Sequence, residues 1–295
     1  MTQRRPPRSA SADDLLTTLG YLTAQARQGA EHHRARVDLA VALQRDMLPS
    51  VLPSVPGLRT AARYAPARDG LEIGGDWYDG FVMPDGSLAF SIGDVQGHDV
   101  EAAAFMGQIR MGLRAVATAA TDPGEVLSRA NDLLVSVGRE LFATCTFVRF
   151  DPTAWMLESA RAGHVPAVWA TDDGRCGAVQ DDGGLPLGIQ AGEGYPVTRR
   201  RLTRGGTFVL LTDGLIEGPG VPVDTGLDRV TGLIGAATGA GAGAEELAAE
   251  VMKAAEFTDH TDDAAVLVLR HDACPGSRQA GGEGRAPAAV DRAPG

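Results

Sequence analysis

Cysteine is scarce in this chain of 295 residues, and the three cysteines lie far apart, at positions 145, 176 and 274. An odd number of widely separated cysteines excludes a disulfide framework and does not fit a cysteine-based zinc site, since both need close, regular spacings. The sequence also lacks any apolar run near the roughly 18 residues that span a bilayer. Its basic start leads into Pro and Ser rather than an apolar signal segment. We therefore expect a cytoplasmic protein with no membrane segment.

Positive charge is in short supply as well. The chain has 27 Lys and Arg against 38 Asp and Glu, a net charge of −11. Such an acidic balance argues against a dedicated nucleic-acid-binding protein, which needs a basic surface to meet the phosphate backbone. A hydrophobic content of 44% with 22% charged residues is typical of globular proteins and excludes global disorder. We expect no nucleic-acid partner.

The first part of the chain is predicted to be helical. Apolar residues recur at spacings of three and four over residues 12–48, and Pro49 and Pro53 end the pattern. The pattern weakens over residues 28–36, which favours two helices or one interrupted helix over a continuous coiled coil. The predicted organisation is a disordered start (1–11), an N-terminal helical segment (12–53), a folded body (54–270) and a disordered tail (271–295).

The body has the pattern of an α+β domain dominated by sheets. Short β-rich runs are separated by Gly, Pro and Asp turn signals. The predicted strands cover residues 77–83, 87–92, 144–150, 155–161, 165–170, 207–211 and 264–270. The predicted helices cover residues 105–116, 126–137, 227–234 and 244–256.

Aspartates in four short, turn-like contexts are the most informative residues. The contexts are Gly-Gly-Asp-Trp-Tyr-Asp at 74–79, Gly-Asp-Val-Gln-Gly-His at 93–98, Thr-Asp-Gly at 212–214 and Thr-Asp-Asp at 261–263. Asp94 and Asp213 each follow an apolar run, with one residue between the run and the aspartate. Asp262 and Asp263 precede a third apolar run. Carboxylates placed just outside the strand ends of one sheet would meet at its rim.

Several ionised carboxylates share a small, partly dry space only when a cation offsets their repulsion. Oxygen donors without a Cys or His pair suit Mg²⁺ or Mn²⁺ rather than zinc. Each context also has an ordinary explanation, because Asp-Gly is common turn chemistry and aspartates often cap nearby amides. Composition and spacing alone leave both explanations open.

The four motifs, in this order, resemble those of the protein phosphatase 2C class of metal-dependent serine/threonine phosphatases, and specifically its bacterial SpoIIE/RsbU-type branch. Further matching segments extend the resemblance over roughly residues 43–270. They are Leu-Gln-Arg-Asp-Met-Leu-Pro at 43–49, Glu-Ala-Ala at 101–103, Ala-Gly-His-Val-Pro at 162–166, Gly-Leu-Pro-Leu-Gly at 184–188 and Leu-Thr-Asp-Gly-Leu-Ile-Glu at 211–217.

The resemblance implies two packed antiparallel β-sheets flanked by helices, with two Mn²⁺ or Mg²⁺ ions at one edge. It implies that Asp94 bridges both ions and that the Val95 carbonyl binds one of them. Asp213 and Asp262 would complete the coordination of the other ion. Asp76 would coordinate directly or hold a metal-bound water, which makes Asp94 and Asp76 the catalytic carboxylates.

Four further residues are expected around the metal ligands: Asp79, His98, Asp99 and Asp263. His98 could donate a proton to the leaving oxygen or fix its loop through hydrogen bonds, and the second role is favoured. His164 is expected to be structural or to line the rim. The branch has glycine where this chain has Asp99, so either the loop shifts or an additional carboxylate faces the metals.

The implied function is hydrolysis of phosphoserine or phosphothreonine on a protein, with a phosphorylated anti-sigma-factor antagonist as the implied substrate. The first alternative is a pseudophosphatase, a binding module with weak or no catalysis, which Asp99 favours. A second alternative is a hydrolase of nucleotides or small phosphoesters, although the chain has no Walker-type phosphate loop. The N-terminal helix is expected either to form a homodimer or to pack on its own domain.

Overall fold

A computed structural model of the chain describes residues 12–66, 74–97, 100–138, 141–258 and 262–274. The predicted disordered start and the tail from residue 275 lie outside the described residues. Residues 271–274, which the sequence assigned to the tail, adjoin the body. His271 belongs to the last strand, and the Cys274 backbone N–H donates a hydrogen bond to the Leu202 carbonyl at 2.9 Å.

Within the described residues, ten strands form two antiparallel five-stranded sheets. In chain order the strands are β1 (Leu58–Ala65), β2 (Trp77–Val82), β3 (Leu88–Val95), β4 (Ala143–Asp151), β5 (Met156–Ala162), β6 (Val168–Thr171), β7 (Cys176–Ala178), β8 (Thr198–Arg201), β9 (Gly206–Leu211) and β10 (Ala264–His271). The first sheet has the order β1-β10-β9-β6-β7, and the second has the order β2-β3-β4-β5-β8. We call them sheet A and sheet B.

In the part of the chain that the structure describes, five α-helices accompany the sheets: α1 (Ala12–Met47), α2 (Val100–Ala117), α3 (Pro123–Val137), α4 (Val223–Gly239) and α5 (Ala244–Thr258). A 3₁₀ turn, Asp213–Leu215, follows β9. The start of α3 shows why the chain turns helical there. The Asp122 side chain accepts a hydrogen bond from the Glu125 N–H, and Pro123 occupies the first turn, where a missing N–H costs nothing.

The prediction of an interrupted N-terminal helix is wrong, because α1 runs for 36 residues without a break. The side chains of residues 16–31 are exposed. Polar residues at positions 28–31 therefore carry no burial cost, and the Gly29 position opens onto free space. A helix that need not bury a continuous apolar face can continue through such a segment.

The hydrophobic core lies in three layers, which confirms the predicted α+β sandwich. Between the sheets, Phe90 and Ile92 of β3 pack with Leu267 and Leu269 of β10. Helices α2 and α3 cover the outer face of sheet B, and α4 and α5 cover the outer face of sheet A. Central strands such as β9 are therefore buried on both faces, which explains their continuous apolar sequence.

Among the helices of the described residues, none combines the length and the apolar character that a bilayer span requires.

Candidate metal centre

Ends of strands from both sheets bring the predicted aspartates to one end of the sandwich. In sheet B, Asp76 directly precedes β2 and Asp94 lies near the end of β3, and these ends adjoin because Trp77 pairs with Gly93. In sheet A, the 3₁₀ turn that starts with Asp213 follows β9, and Asp262 and Asp263 precede β10. β9 and β10 are paired neighbours.

A buried threonine connects the two groups of aspartates. The Thr212 hydroxyl donates a hydrogen bond to Asp76 Oδ2 at 2.7 Å and accepts one from the Ala265 N–H at 2.8 Å. Asp76 is 2% exposed and Thr212 is fully buried. The carboxylate that precedes sheet B is thus fixed to the strand ends of sheet A.

Glycines allow the backbone to approach the carboxylates closely. A Cβ on Gly75 would lie 2.4 Å from the Val95 carbonyl oxygen and 3.0 Å from Asp94 Oδ1, and a Cβ on Gly74 would lie 1.0 Å from Asp263 Oδ2. Real Cβ atoms do not come this close, so no larger residue fits at either position without a shift of its neighbours. The Val95 carbonyl and the Asp94 carboxylate therefore lie beside the same glycine.

The carboxylates raise one another's pKa values. Burial, followed by repulsion from Asp94 and Asp263, raises the pKa of Asp76 well above its ordinary value. Burial together with repulsion from Asp213, Asp262 and Asp263 raises the pKa of Asp94 to about 8. Burial and the nearby Asp262 also raise the pKa of Asp213. Asp76 and Asp94 of sheet B are both repelled by carboxylates that follow β9 or precede β10 of sheet A, so the two groups of aspartates face a common space.

These donors suit a hard divalent cation. All of them are oxygens, and a cation among them would relieve the repulsion that disfavours their ionised forms. Within the described ranges, no three His, Cys, Asp or Glu side chains are grouped closely enough to enclose an ion by themselves. Mg²⁺ does not require such a group, because it is usually held by one or two carboxylates and keeps several waters.

A cavity of about 310 Å³ adjoins the aspartates on the sheet A side. Its lining is acidic and glycine-rich: Asp213, Gly214, Glu217, Gly218, Pro219 and Asp262. A phosphate dianion entering such a cavity would meet only negative side chains unless cations were bound there.

Asp79 does not join this group of aspartates. It lies in β2 and is fully buried, with Arg114 Nε 2.6 Å from Oδ2 and Arg114 Nη2 2.6 Å from Oδ1. Arg110 adds a contact of 3.4 Å between Nη1 and Oδ2. The carboxylate expected beside the metal ligands thus holds α2 against sheet B. Of the other residues expected beside the metal ligands, Asp263 lies within the group of aspartates. His98 and Asp99 lie outside the described residues.

His164 is structural, as its loop context led us to expect. It is 4% exposed, and its Nδ1 lies 2.8 Å from the Thr144 hydroxyl. Burial lowers its pKa to about 3, so the ring is neutral at physiological pH. Arg161 donates a hydrogen bond to the His164 carbonyl at 2.8 Å and fixes the backbone of the loop.

Sequence reasoning did not identify Thr212 or Arg114. Thr212 lies between the apolar end of β9 and the Asp-Gly pair, and this position was the available signal in the sequence. Arg114 lies 35 residues from its partner Asp79, and nothing local in the sequence pairs the two.

Gly75→Ala is expected to weaken Mn²⁺ binding about 10- to 100-fold, the range seen when residues that orient metal ligands are changed. The added methyl group would displace the Val95 carbonyl or the Asp94 carboxylate. Calorimetric titration with Mn²⁺ measures the affinity. Gly112→Ala in α2 is the matched control, because its Cβ would meet Leu133 at an ordinary 3.7 Å. Equal affinities for both variants and the wild type would show that the Gly75 contact does not shape the site.

The metal-free protein is expected to lose stability as the pH rises from about 7 to 8.5. The pKa of Asp94 is about 8 in the folded state and near 3.8 in the unfolded state. Between these values the folded state holds more protons, so its stability falls with rising pH. The buried His164 and His271 have lowered pKa values, and their opposite contribution levels off above the unfolded pKa of 6.5.

Melting temperatures in chelator at the two pH values measure this effect. Mn²⁺ should remove most of the decrease, since a bound cation favours the ionised carboxylates, and Asp94→Asn should reduce the decrease without metal. A chelated wild-type protein that melts at the same or a higher temperature at the higher pH would contradict the assigned repulsion.

Comparisons with known proteins agree with this fold. A family model described as Stage II sporulation protein E (SpoIIE) matches residues 84–272. The phosphoserine phosphatase RsbU of Bacillus subtilis (strain 168) is 25% identical over 201 residues, which are 68% of this chain and 59% of that protein.

Two solved structures are also similar. The RsbU and RsbW domains of Rv1364c from Mycobacterium tuberculosis superpose with a TM-score of 0.68 and 31% identity, covering 77% of this chain and 63% of that one. The catalytic domain of the phosphatase PstP, in complex with two manganese ions, has a TM-score of 0.53 and 17% identity, and covers 73% of this chain and 99% of that one. The chain thus spans less than two thirds of RsbU and of the Rv1364c structure.

Proposed function

The chain belongs to the SpoIIE family, and from that premise we propose that it is a metal-dependent phosphatase that hydrolyses phosphoserine or phosphothreonine on a protein. The observation that carries the proposal is the convergence of buried aspartates from both sheets, whose mutual repulsion raises their pKa values. The RsbU relative is itself named a phosphoserine phosphatase.

Residues of both sheets would hold the metal ions. Asp94 and the Val95 carbonyl would hold metal from sheet B, with the Asp94 carboxylate shared between two Mn²⁺ or Mg²⁺ ions. Asp213 and Asp262 would hold metal from sheet A, and Asp76 is kept in place by the Thr212 hydroxyl. When bound, such ions lower the pKa of water and neutralise charge on the phosphoryl oxygens. The chain supplies the positions and the acidic cavity through which a phosphorylated side chain would enter.

The proposed substrate is a phosphorylated anti-sigma-factor antagonist. In the Mycobacterium tuberculosis structure an RsbU domain and an RsbW domain are parts of the same protein, which supports a place in a signalling pathway of this kind. A phosphorylated segment of a partner protein is also compatible with a shallow cavity at the end of the sandwich.

Phosphate release from a phosphoserine protein tests the proposal. Release is expected with Mn²⁺, should stop in chelator, and should be far faster than release from a nucleotide under the same conditions. Release that persists in chelator, or faster release from the nucleotide, would contradict the proposed activity.

We also propose a homodimer through the first half of α1. Its large apolar side chains Leu16, Leu19, Tyr21 and Leu22 are between 54% and 65% exposed. The end of the helix packs on its own domain instead, because Met47 lies against Gly107 of α2, where a Cβ would be 3.5 Å from the Met47 sulfur. The Leu43 side chain lies outside the described residues.

Leu19→Glu with Leu22→Glu, and separately removal of residues 1–36, are expected to convert a dimer into a monomer. A dimer would bury positions 19 and 22, and charged side chains at these positions would be costly to desolvate. Light scattering after size-exclusion chromatography gives the mass. A wild-type protein with the monomer's mass, or variants that remain dimeric, would contradict dimerisation through this surface.

A further inference from the structure

A second cavity lies at the end of the sandwich opposite the aspartates. It has a volume of about 330 Å³ and lies between β6 and β9 of sheet A and β8 of sheet B. Thr207 and Phe208 of β9 line it, whereas Asp213 follows the other end of that strand. Thr207 and Asp213 are six positions apart, which corresponds to roughly 20 Å along an extended chain. The cavity is therefore distinct from the candidate metal centre.

Four arginines line this cavity: Arg175, Arg200, Arg201 and Arg204. Asp173 contacts two of them, at 3.3 Å from Arg175 Nε and 2.9 Å from Arg204 Nη1, and its single negative charge offsets only one of the two positive charges. Neither Arg200 nor Arg201 has a carboxylate partner in the part of the chain that the structure describes. In a protein with a net charge of −11, this is a local concentration of positive charge.

Arg200 is held in position rather than free in solvent. Its guanidinium lies 5.4 Å from the ring centre of Trp169. This contact connects β8 of sheet B to β6 of sheet A. Gly177 of β7 also lies beside the ring, since a Cβ at that position would be 3.4 Å from the indole. Burial lowers the pKa of Arg200, because a partly desolvated cation lacks a counterion. An anion beside Arg200 would compensate that loss of solvation.

We propose that this cavity binds the phosphate group of a small molecule. The planar guanidinium presents paired N–H donors that match phosphate oxygens, and arginine is favoured wherever such groups are recognised. Arg200 is already oriented by Trp169, and Arg201, the next and more exposed residue of β8, also lines the cavity. The volume lies at the low end of small-molecule sites, so it admits a phosphate with a small attached group rather than a folded partner.

Phosphorus NMR of inorganic phosphate and of adenosine monophosphate tests the proposal on the full-length chain. Chelator is present throughout, so the aspartates of the candidate metal centre remain metal-free and repel both anions. We expect line broadening with the wild-type protein. Arg200→Gln together with Arg201→Gln should weaken the apparent affinity about tenfold or more, given the strength of hydrogen bonds between charged groups.

Arg199→Gln is the matched control, because Arg199 is the preceding residue of β8 but is paired with Glu158 at 2.7 Å outside the cavity. It should bind as the wild type does. Arg201→Gln alone should weaken binding severalfold, and it keeps the Trp169 contact of Arg200 in case the double variant is unstable. Tighter binding of the nucleotide would identify a phosphorylated metabolite as the ligand, and equal binding would identify free phosphate.

No broadening by either compound, or equal affinity for the wild type and both cavity variants, would overturn the proposal. Because the test contains no metal and measures no turnover, its outcome is independent of the proposed phosphatase activity.

Discussion

Asp94→Asn is expected to lower the rate of Mn²⁺-dependent phosphate release by about a thousandfold or more, while the fold stays intact. Removing one preorganised electrostatic group from an active site commonly costs a hundred- to a thousandfold, and Asp94 is proposed to serve both metal ions. The substitution also removes a partly buried carboxyl group whose ionised form is repelled by other carboxylates. The chelated variant should therefore melt at a temperature no lower than that of the wild type.

Initial rates with saturating Mn²⁺, together with melting curves in chelator, measure both effects. Asp182→Asn is the matched control, because Asp182 is exposed and outside the candidate metal centre. Near wild-type turnover by Asp94→Asn, with the control also unchanged, would remove Asp94 from the catalytic centre.

Asp79→Asn is expected to lower the free energy of unfolding by about 2–3 kcal/mol. Removing one partner of a buried ion pair typically costs about 3–5 kcal/mol. We expect a cost at or below the low end of this range because the Arg114 side chain is one-third exposed. Arg114 would also keep its contact with the Phe81 ring, at 4.7 Å from the ring centre. The rate per folded molecule should change little, because Asp79 faces α2 rather than the other aspartates.

Urea unfolding of the metal-free protein measures this effect. Lys253→Gln is the control, since it removes an exposed ion pair with Glu250 and should cost less than about 1 kcal/mol. If Asp79→Asn were as stable as the control but lost activity, Asp79 would act at the metals rather than as an anchor for α2.

The sequence predicted the sandwich well where burial dictates the pattern. Strands β3, β9 and β10 are buried on both faces, so their apolar runs stand out, and the aspartates follow or precede them. Short edge strands such as β7 and β8 were missed, because three or four partly exposed residues give no clear alternation.

Other features depend on contacts that sequence periodicity does not encode. Asp76 was expected to be a metal ligand and Asp79 to lie beside the ligands, yet Asp76 meets Thr212 and Asp79 meets Arg114 on α2. They are three positions apart, and successive residues of an extended chain point in opposite directions, so odd separations send side chains to opposite sides. The continuity of α1 beyond residue 28 was missed because the exposed residues 28–31 can be helical without keeping an apolar periodicity.

Anomalous diffraction from crystals soaked in Mn²⁺ tests the two-metal assignment, because it locates the metal without reference to activity. We expect two anomalous peaks about 4 Å apart, both in contact with the Asp94 carboxylate, one beside the Val95 carbonyl and the other beside Asp213 and Asp262. A map with no peak at Asp94, or with Mn²⁺ bound only at other acidic residues, would contradict it.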